Sequence, residues 1–105
     1  KDFQGQKREG GKLMYIHLGQ ETVIPSDDIV GIFDLDSSTV SKHTRKFLTV
    51  SEKSGRVVNV SYELPKSFAV CCDKNKKTTV YISQISTATL LKRKDFLSSI
   101  NKKEE

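Results

Sequence analysis

The sequence predicts an α+β fold, in which one small, mainly antiparallel sheet carries two helices within a single domain. Three observations lead to this fold class. The chain has 105 residues, which suits one domain with one core. Short runs of β-forming residues are separated by turn residues, and two other segments have helical periodicity. Their order is strands, helix, strands, helix, without the long alternating units that build a parallel sheet.

The first predicted strands form a hairpin. Tyr15–Leu18 is strand-like, Gly19–Gln20 supplies the turn, and Thr22–Ile24 returns until Pro25 stops the strand. The next run, Ile29–Leu35, is almost continuously apolar. Such a run is typical of a strand that is covered on both faces, which we predict here, and periodicity leaves a short buried helix open as the alternative.

The first helix is predicted between two residues with strong end preferences. Ser38 or Ser41 can cap its N-terminus, because a serine hydroxyl accepts a bond from an unpaired backbone N–H. Gly55 can end it in the left-handed conformation that other residues resist. The face predicted to pack inward holds Val40, Thr44, Phe47, Leu48 and Ser51.

The second half of the chain repeats the pattern of strands and then a helix. Arg56–Val60 is strand-like, and Ser67–Cys72 with Thr78–Ile82 is predicted to form a hairpin around the polar turn Asp73–Lys77. A final helix is expected from Ser86 or Thr87 to about Ile100, with a buried stripe of Leu90, Leu91, Leu97 and Ile100.

The domain is expected to span residues 14–100. Residues 1–13 hold three glycines and no periodicity, so we interpret them as a flexible leader or as sequence upstream of the natural start, for which Met14 is the expected initiator. Residues 101–105 are expected to fray.

Charge and cysteine usage indicate the class of partner and the compartment. The net charge is +5, of which residues 1–13, with four basic and two acidic side chains, hold +2, leaving +3 from Met14 onward. A basic excess suits DNA or another polyanion. Apolar runs are far shorter than the roughly 20 residues of a membrane-spanning helix, so no membrane partner is predicted. The neighbouring Cys71 and Cys72 are expected to be reduced thiols, which favours the cytoplasm.

No enzyme is predicted, and no catalytic residue, metal site or cofactor. The sequence lacks phosphate-binding glycine loops, HExxH and GxSxG, and its two histidines have no cysteine or carboxylate cluster at ligand spacing. The acidic residues Asp27, Asp28, Asp34 and Asp36 are interpreted as turn and helix-capping residues.

Four runs of the sequence resemble a known family. They are MYIHLG at Met14–Gly19, DIVGIFDLDSSTVSKHTRKFL at Asp28–Leu48, ELPKSFAV at Glu63–Val70 and VYISQISTATLLKR at Val80–Arg93. In this order they resemble the RemA/RemB family of bacterial extracellular matrix regulators, over about residues 14–100.

The resemblance implies a DNA-binding regulator of matrix, or biofilm, genes. It also implies closed rings whose outer surface engages DNA through arginines, in an arrangement likened to LytTR domains. A cyclic homo-oligomer agrees with the size of the chain, since domains of this length bury only about 60–70% of the surface that the unfolded chain exposes.

Two positions depart from the family pattern. Members of the family carry basic residues just before the second buried strand and in the turn before the hairpin, where this sequence has Asp28 and Leu64-Pro65. Lys66 and Ser67 keep a character that suits phosphate. The predicted DNA contacts are therefore Lys66 and Ser67, with Arg56, Arg45 and Lys46 as secondary candidates.

A second interpretation remains open. The same fold could serve as a protein-interaction or oligomerisation module in the same regulatory pathway, without direct DNA binding. The two departures would then be adaptations to a protein partner, and the net charge of only +3 over the matching region agrees with that.

Overall fold

The computed structural model describes residues 14–38 and 41–103. In this part of the chain it contains six strands, three α-helices and a short 3-10 turn at Ser26–Asp28. In chain order the elements are β1 (Tyr15–Gly19), β2 (Thr22–Pro25), β3 (Ile29–Asp34), α1 (Leu35–Ser38), α2 (Lys42–Lys53), β4 (Val57–Asn59), β5 (Ser67–Cys72), β6 (Thr78–Ser83) and α3 (Thr87–Lys103). The α+β class is confirmed, with one short helix more than the two predicted.

Strands β1 and β2 form the predicted hairpin as a small sheet of their own. Its turn lies in the left-handed region, with φ of +131° at Gly19 and +49° at Gln20. The register shifts after His17, and the bulge tightens the bend. Alternation along the hairpin turns Ile16, Leu18 and Ile24 inward, where all three are buried.

The second sheet has the strand order β3-β5-β6-β4. β5 pairs antiparallel with both β3 and β6, which confirms the predicted hairpin, whereas β4 pairs parallel with β6. The parallel pair arises because β6 lies between β4 and β5. The chain therefore leaves β4 through residues 60–66 and crosses the end of β6 to begin β5.

Ile29–Asp34 is a strand as predicted, but the prediction that both of its faces are covered is wrong. β3 is an edge strand, and the side chain of Val30 is 70% exposed. A register shift between Ile29 and Gly31 places Val30 at a bulge. Leu35 belongs to the short helix α1 and not to the strand. The Asp34 carboxylate accepts bonds from the backbone N–H (2.9 Å) and the hydroxyl (3.1 Å) of Ser37, so it stabilises this turn as expected of a capping residue.

One face of the four-stranded sheet packs against the β1–β2 hairpin and α3. Ala69 and Cys71 of β5 lie on this face, with Tyr81 of β6 packed against them. Leu90 is the fully buried anchor of α3. The complete buried cluster is Ile16, Leu18, Ile24, Ile29, Val60, Ala69, Cys71 and Leu90.

Two buried serines connect the layers of this core. The Ser83 hydroxyl donates to the carbonyl of Leu18 (2.6 Å) and accepts from the backbone N–H of Ile85 (3.0 Å). The Ser67 hydroxyl donates to the carbonyl of Ile85 (2.7 Å). These bonds join β1, the two central strands and the entry to α3, and they satisfy hydroxyls that are expensive to bury alone.

Helix α2 begins and ends where its end residues predict. Ser41, not Ser38, is the N-cap, and its hydroxyl accepts from the backbone N–H of Thr44 (3.4 Å). Gly55 follows the C-cap with φ of +74°. Ser51 is fully buried, but Phe47 is exposed, so that part of the predicted inward face is wrong. Val40 lies outside the described residues.

Helix α3 buries less of its predicted stripe than expected. Leu90 is buried and Leu97 packs against the core, whereas Leu91 is exposed and that assignment is wrong. The helix runs to Lys103, three residues past the predicted end. No proline or glycine interrupts it there, and Lys102 and Lys103 favour the negative end of the helix dipole. The side chain of Ile100, residues 104–105 and the leader at 1–13 lie outside what the structure describes.

Alanine substitutions at Gly19 and Gly55, which both have positive φ, should separate the cost of backbone strain from the cost of steric clash. A Cβ on Gly19 would lie 2.7 Å from Oε1 of Gln84 and 3.1 Å from Cγ1 of Val60, whereas one on Gly55 meets nothing within 4 Å. We expect Gly19→Ala to lower the free energy of unfolding by about 3 kcal/mol through strain and overpacking. Gly55→Ala should lower it by about 1 kcal/mol through strain alone. Equal losses in urea titrations would contradict the packing described around Gly19.

Candidate nucleic-acid interface

The outer face of α2 carries a strip of positive charge. Lys42, Lys46 and Lys53 fall on one side of the helix at spacings of four and seven residues, and all three are exposed. The exposed Arg45 lies one residue from Lys46. Glu52 is the one carboxylate within the helix. From Lys42 to Lys53 the strip is about 16 Å long at the rise of an α-helix, enough to face several phosphates of a duplex.

Lys66 is an exposed cation outside α2, and both its backbone N–H and its backbone carbonyl are hydrogen-bonded. Its N–H donates to the carbonyl of Ser83 (2.8 Å), and its carbonyl accepts from the N–H of Leu35 (3.0 Å). The residue is therefore fixed at one end of the sheet while its side chain reaches solvent. Leu35 begins α1, so Lys66 lies at the end of the sheet where β3 passes into α1.

Ser67 is not part of that surface. Its side chain is fully buried, and its hydroxyl is used by the carbonyl of Ile85. The strand phase explains this, because Ser67 shares its face with Ala69 and Cys71, which belong to the core. The predicted DNA contact at Ser67 is therefore corrected to a structural role.

Arg56 lies toward the opposite end of the sheet from Lys66. Its carbonyl accepts from the N–H of Val80 (2.8 Å), three residues before Ser83 on β6, so the two attachments are about 10 Å apart along the strand. Arg56 is half-buried, and no described residue accepts a hydrogen bond from its Nε–H. It lies nearer the hairpin turn of β5 and β6, where the exposed lysines are Lys74, Lys76 and Lys77.

The sequence prediction missed two members of the α2 strip, Lys42 and Lys53, as site residues. Their spacing from Lys46 could have identified them as site residues, since residues four and seven apart share a helix face. The structure therefore brings the predicted Arg45 and Lys46 together with these two lysines. Lys66 lies at the end of the sheet where β3 passes into α1, whereas Arg56 lies three residues after Lys53, with its N–H bonded to the carbonyl of Ser51 (2.9 Å).

A polar cleft of about 290 Å³ lies on the other side of the molecule, at the hairpin turn of β5 and β6. Partial burial, and then the nearby charges of Asp73 and Asp27, raise the pKa of Asp28, which lines it. Burial, and then the Asp28 charge, raise the pKa of the Cys71 thiol to about 12. Cys71 is consequently protonated at neutral pH, so the cleft contains no thiolate nucleophile from this residue.

The side chains that could bind a metal ion do not cluster among the described residues. Across residues 14–38 and 41–103 no three of the histidine, cysteine and carboxylate side chains come close enough to hold an ion. His17 and His43 are both exposed and lie on different elements, and Nε2 of His17 donates to the carbonyl of Gln20 (2.5 Å). Both cysteines are unpaired thiols.

An apolar groove of about 300 Å³ runs between α2 and the β3–β5 part of the sheet. It is lined by Val30, Phe33, His43, Thr44, Phe47, Phe68 and Val70. The rings of Phe33 and Phe68 stack at its floor with centroids 5.2 Å apart. A second exposed apolar feature is the loop between β4 and β5, where Tyr62 is fully exposed and Leu64 is 79% exposed.

The described residues thus form a small α+β domain that presents a cationic strip and apolar side chains at its surface. No described helix is both long and apolar enough to span a bilayer. The sequence profile of the RemA-like family, described as extracellular matrix regulatory protein A-like, matches residues 15–93. The chain is 36% identical over 88 residues to Extracellular matrix regulatory protein B of Bacillus subtilis (strain 168), which covers 84% of this chain and 99% of that protein.

The chain therefore belongs to the RemA-like family of extracellular matrix regulatory proteins. This confirms the resemblance found in the four sequence runs. Both names describe regulators rather than enzymes, which supports a regulatory role for this chain.

The two thiols should differ in reactivity despite being neighbours. At pH 8 we expect a thiol reagent to modify Cys72 rapidly in the folded protein and Cys71 only slowly. The reason is that burial removes access to the Cys71 thiol and raises its pKa to about 12. Cys72→Ser should abolish the fast phase, and urea should make both thiols of the parent reactive. Rapid modification of Cys71 in the folded Cys72→Ser variant would contradict the packing of β5.

Proposed function

We propose that this protein is a non-enzymatic, DNA-binding regulator of extracellular matrix genes that acts as a homo-oligomer. The observation that carries the proposal is the exposed cationic face of α2, with Lys42, Lys46 and Lys53 on one side of the helix. Lysines presented together on one surface attract the phosphate backbone and release its counterions. The family to which the chain belongs supplies the regulatory context.

The mechanism follows from the kind of contact that lysines make. Lysine and arginine side chains that bind phosphates fix the position of a protein on the duplex, but they read little sequence. Four or five such contacts per protomer give modest affinity. An assembly of copies multiplies the contacts on one DNA molecule, because each further protomer binds at a high effective concentration. Bending of the duplex around the assembly would add sequence preference through deformability.

Homo-oligomerisation and a cytoplasmic setting belong to the same proposal. The apolar groove beside α2 is surface that a second protein chain would cover, as expected of a thin-cored domain. Cys71 and Cys72 are free thiols, as is usual in a reducing compartment.

The second candidate is a protein-interaction module that does not bind DNA directly. It is favoured by the loop between β4 and β5, where Leu64 and Pro65 are exposed in place of the basic residues that the family resemblance implies. Asp28 adds negative charge at the other departure. Salt separates the two candidates, because phosphate binding weakens steeply with salt and an apolar protein contact does not.

Charge reversal should map the DNA contact. With a labelled duplex of a few tens of base pairs, we expect Lys46→Glu and Lys66→Glu to weaken binding in fluorescence anisotropy. Each should also reduce the salt slope by roughly one unit per protomer on the DNA. Lys92→Glu, at an exposed position on α3, is the matched control and should bind as the parent does. Arg56→Glu should have a smaller effect than Lys66→Glu, since the Arg56 side chain is half-buried and the Lys66 side chain is exposed.

Two results would count against the proposal. Absence of binding by the parent protein at about 50 mM salt, where phosphate contacts are strongest, would remove DNA as the ligand and favour the protein-interaction module. Equal weakening by Lys92→Glu and Lys46→Glu would show that the α2 face is not the contact. Circular dichroism of each variant checks that the substitution leaves the fold intact.

A further inference from the structure

The polar cleft at the hairpin turn of β5 and β6 is a cavity that the proposed DNA surface does not use. Its volume of about 290 Å³ lies near the lower end of the range for small-molecule sites. Three parts of the fold form its walls, which are the open end of the β1–β2 hairpin, the turn before β3 and the β5–β6 hairpin. The lining residues are Tyr15, Ile24, Pro25, Asp28, Cys71, Asp73, Lys77, Thr79 and Tyr81.

Hydrogen bonds fix the backbone of two of these walls. Asp28 directly precedes β3, whose first residue pairs with Cys71 of β5. Oδ1 of Asp73 accepts from the backbone N–H groups of Asn75 and Lys77, at 2.9 Å in both cases. The second carboxylate oxygen of Asp73 is left for a ligand. A cavity whose walls are already ordered loses little conformational entropy when it is occupied.

The Asp28 carboxylate has no positive partner among the described residues. It is partly buried, and this burial, followed by the charges of Asp73 and Asp27, raises the pKa of Asp28. Lys77 lines the same cleft, but no lysine offsets these charges at Asp28. Burial, and then the nearby acidic groups, also raise the pKa of the Tyr81 phenol. A cation in the cleft would relieve the repulsion between the carboxylates.

The buried Cys71 thiol is a separate sign of an unfilled site. Its residue is only 5% exposed, it lines the cleft, and no described group forms a hydrogen bond with its sulfur. The Tyr81 hydroxyl lines the cleft as well. A thiol sulfur and a phenol oxygen can both accept a hydrogen bond, as the carboxylates do. The polar groups of Asp28, Asp73, Cys71 and Tyr81 therefore all lack the same thing, which is a donor.

This chemistry favours an organic ammonium ion over other ligands. An ammonium group carries a positive charge and donates hydrogen bonds but accepts none, and the faces of tyrosine rings attract cations. A phosphate would be repelled by the two carboxylates. A calcium or magnesium ion needs about six oxygen ligands, and across residues 14–38 and 41–103 no three side chains come close enough to hold a metal ion.

We propose that the cleft binds a small organic ammonium ion. Its N–H groups donate to the carboxylates of Asp28 and Asp73, and its carbon chain lies against the rings of Tyr15 and Tyr81. The site is on the other side of the molecule from the α2 strip, so it adds a ligand to the proposed function and does not depend on it. Asp28 is also one of the two departures from the family pattern, so the site is expected in this chain and not across the family.

Nuclear magnetic resonance tests the site with putrescine, a four-carbon diammonium ion. In the isotope-labelled parent at neutral pH, we expect saturable shifts of the backbone amide signals of Lys77, Thr79 and Tyr81. The uncharged diol of the same length should cause none, because it lacks the charge. Asp28→Asn keeps the shape of the side chain and should raise the Kd for putrescine at least about tenfold, as expected when a hydrogen bond to a charged group is lost.

The matched control is Asp36→Asn, which removes one carboxylate at an exposed position of α1, outside the cleft. It should bind putrescine as the parent does, and the amide spectrum of each variant shows whether it is folded. Equal weakening by the two substitutions would reveal general attraction to a negative surface and overturn the inference. Shifts that do not saturate, or equal binding of the diol, would overturn it as well.

A second probe distinguishes a free amine from the lysine of another protein. Acetyl-lysine amide with a free side-chain ammonium represents such a lysine, and it should bind more weakly than putrescine because it brings one charge to two carboxylates. Tighter binding of this probe would overturn the small-molecule occupant. The titrations contain no DNA, so their failure would leave the proposed function standing, and a protein that binds putrescine but no DNA would leave this site standing.

Discussion

The architecture depends on one constraint, which is that a four-stranded sheet has two faces and the described residues cover the second less fully than the first. The β1–β2 hairpin and α3 cover the first face, and the hydroxyls of Ser67 and Ser83 tie these layers together. Among the described helices, α2 alone lines the groove on the second face. That helix borders a groove over β3 and β5, whereas Val80 on the same face is fully buried. A domain with one thin core leaves such a surface uncovered, and the proposed function assigns it to contact with another chain.

Helix α2 consequently has two exposed sides with different chemistry. Its outer side presents Lys42, Lys46 and Lys53 to solvent, and its lateral side presents Phe47 to the groove. Both sides are fixed by the same local signals, since Ser41 caps the N-terminus and Gly55 ends the helix. One short helix therefore fixes the position of the cationic strip relative to the apolar groove. This arrangement lets a protein contact and an ionic contact occur at once on one protomer.

Most elements were predictable because they depend on local chemistry. The hairpin around Asp73–Lys77 follows from β-forming runs on either side of a polar turn, and the ends of α2 follow from Ser41 and Gly55. The wrong predictions concern which surfaces are covered by elements that are distant in the sequence. An apolar run such as Ile29–Leu35 looks the same whether its strand is central or lies at an edge beside a groove.

The candidate site was less predictable than the fold. Lys66 and Ser67 are neighbours in sequence, but strand alternation sends one side chain to solvent and the other into the core. The phase of that alternation is set by the packing of Ala69 and Cys71 beneath α3 and the hairpin, which no local signal encodes. The separation of Arg56 from Lys66 likewise follows from the parallel pairing of β4 with β6. A one-dimensional pattern does not specify which strands become neighbours.

The central claim is that an ionic surface binds DNA while an apolar surface joins the protomers, and sedimentation of the parent with a labelled duplex tests both at once. At about 50 mM salt the account predicts a complex that contains several protomers on one duplex. At about 200 mM salt it predicts free duplex beside an oligomer that is still intact, because salt weakens phosphate contacts and leaves apolar contacts unchanged or stronger. A complex with a single protomer, an oligomer that dissociates together with the DNA, or a duplex that remains free at the lower salt would contradict it.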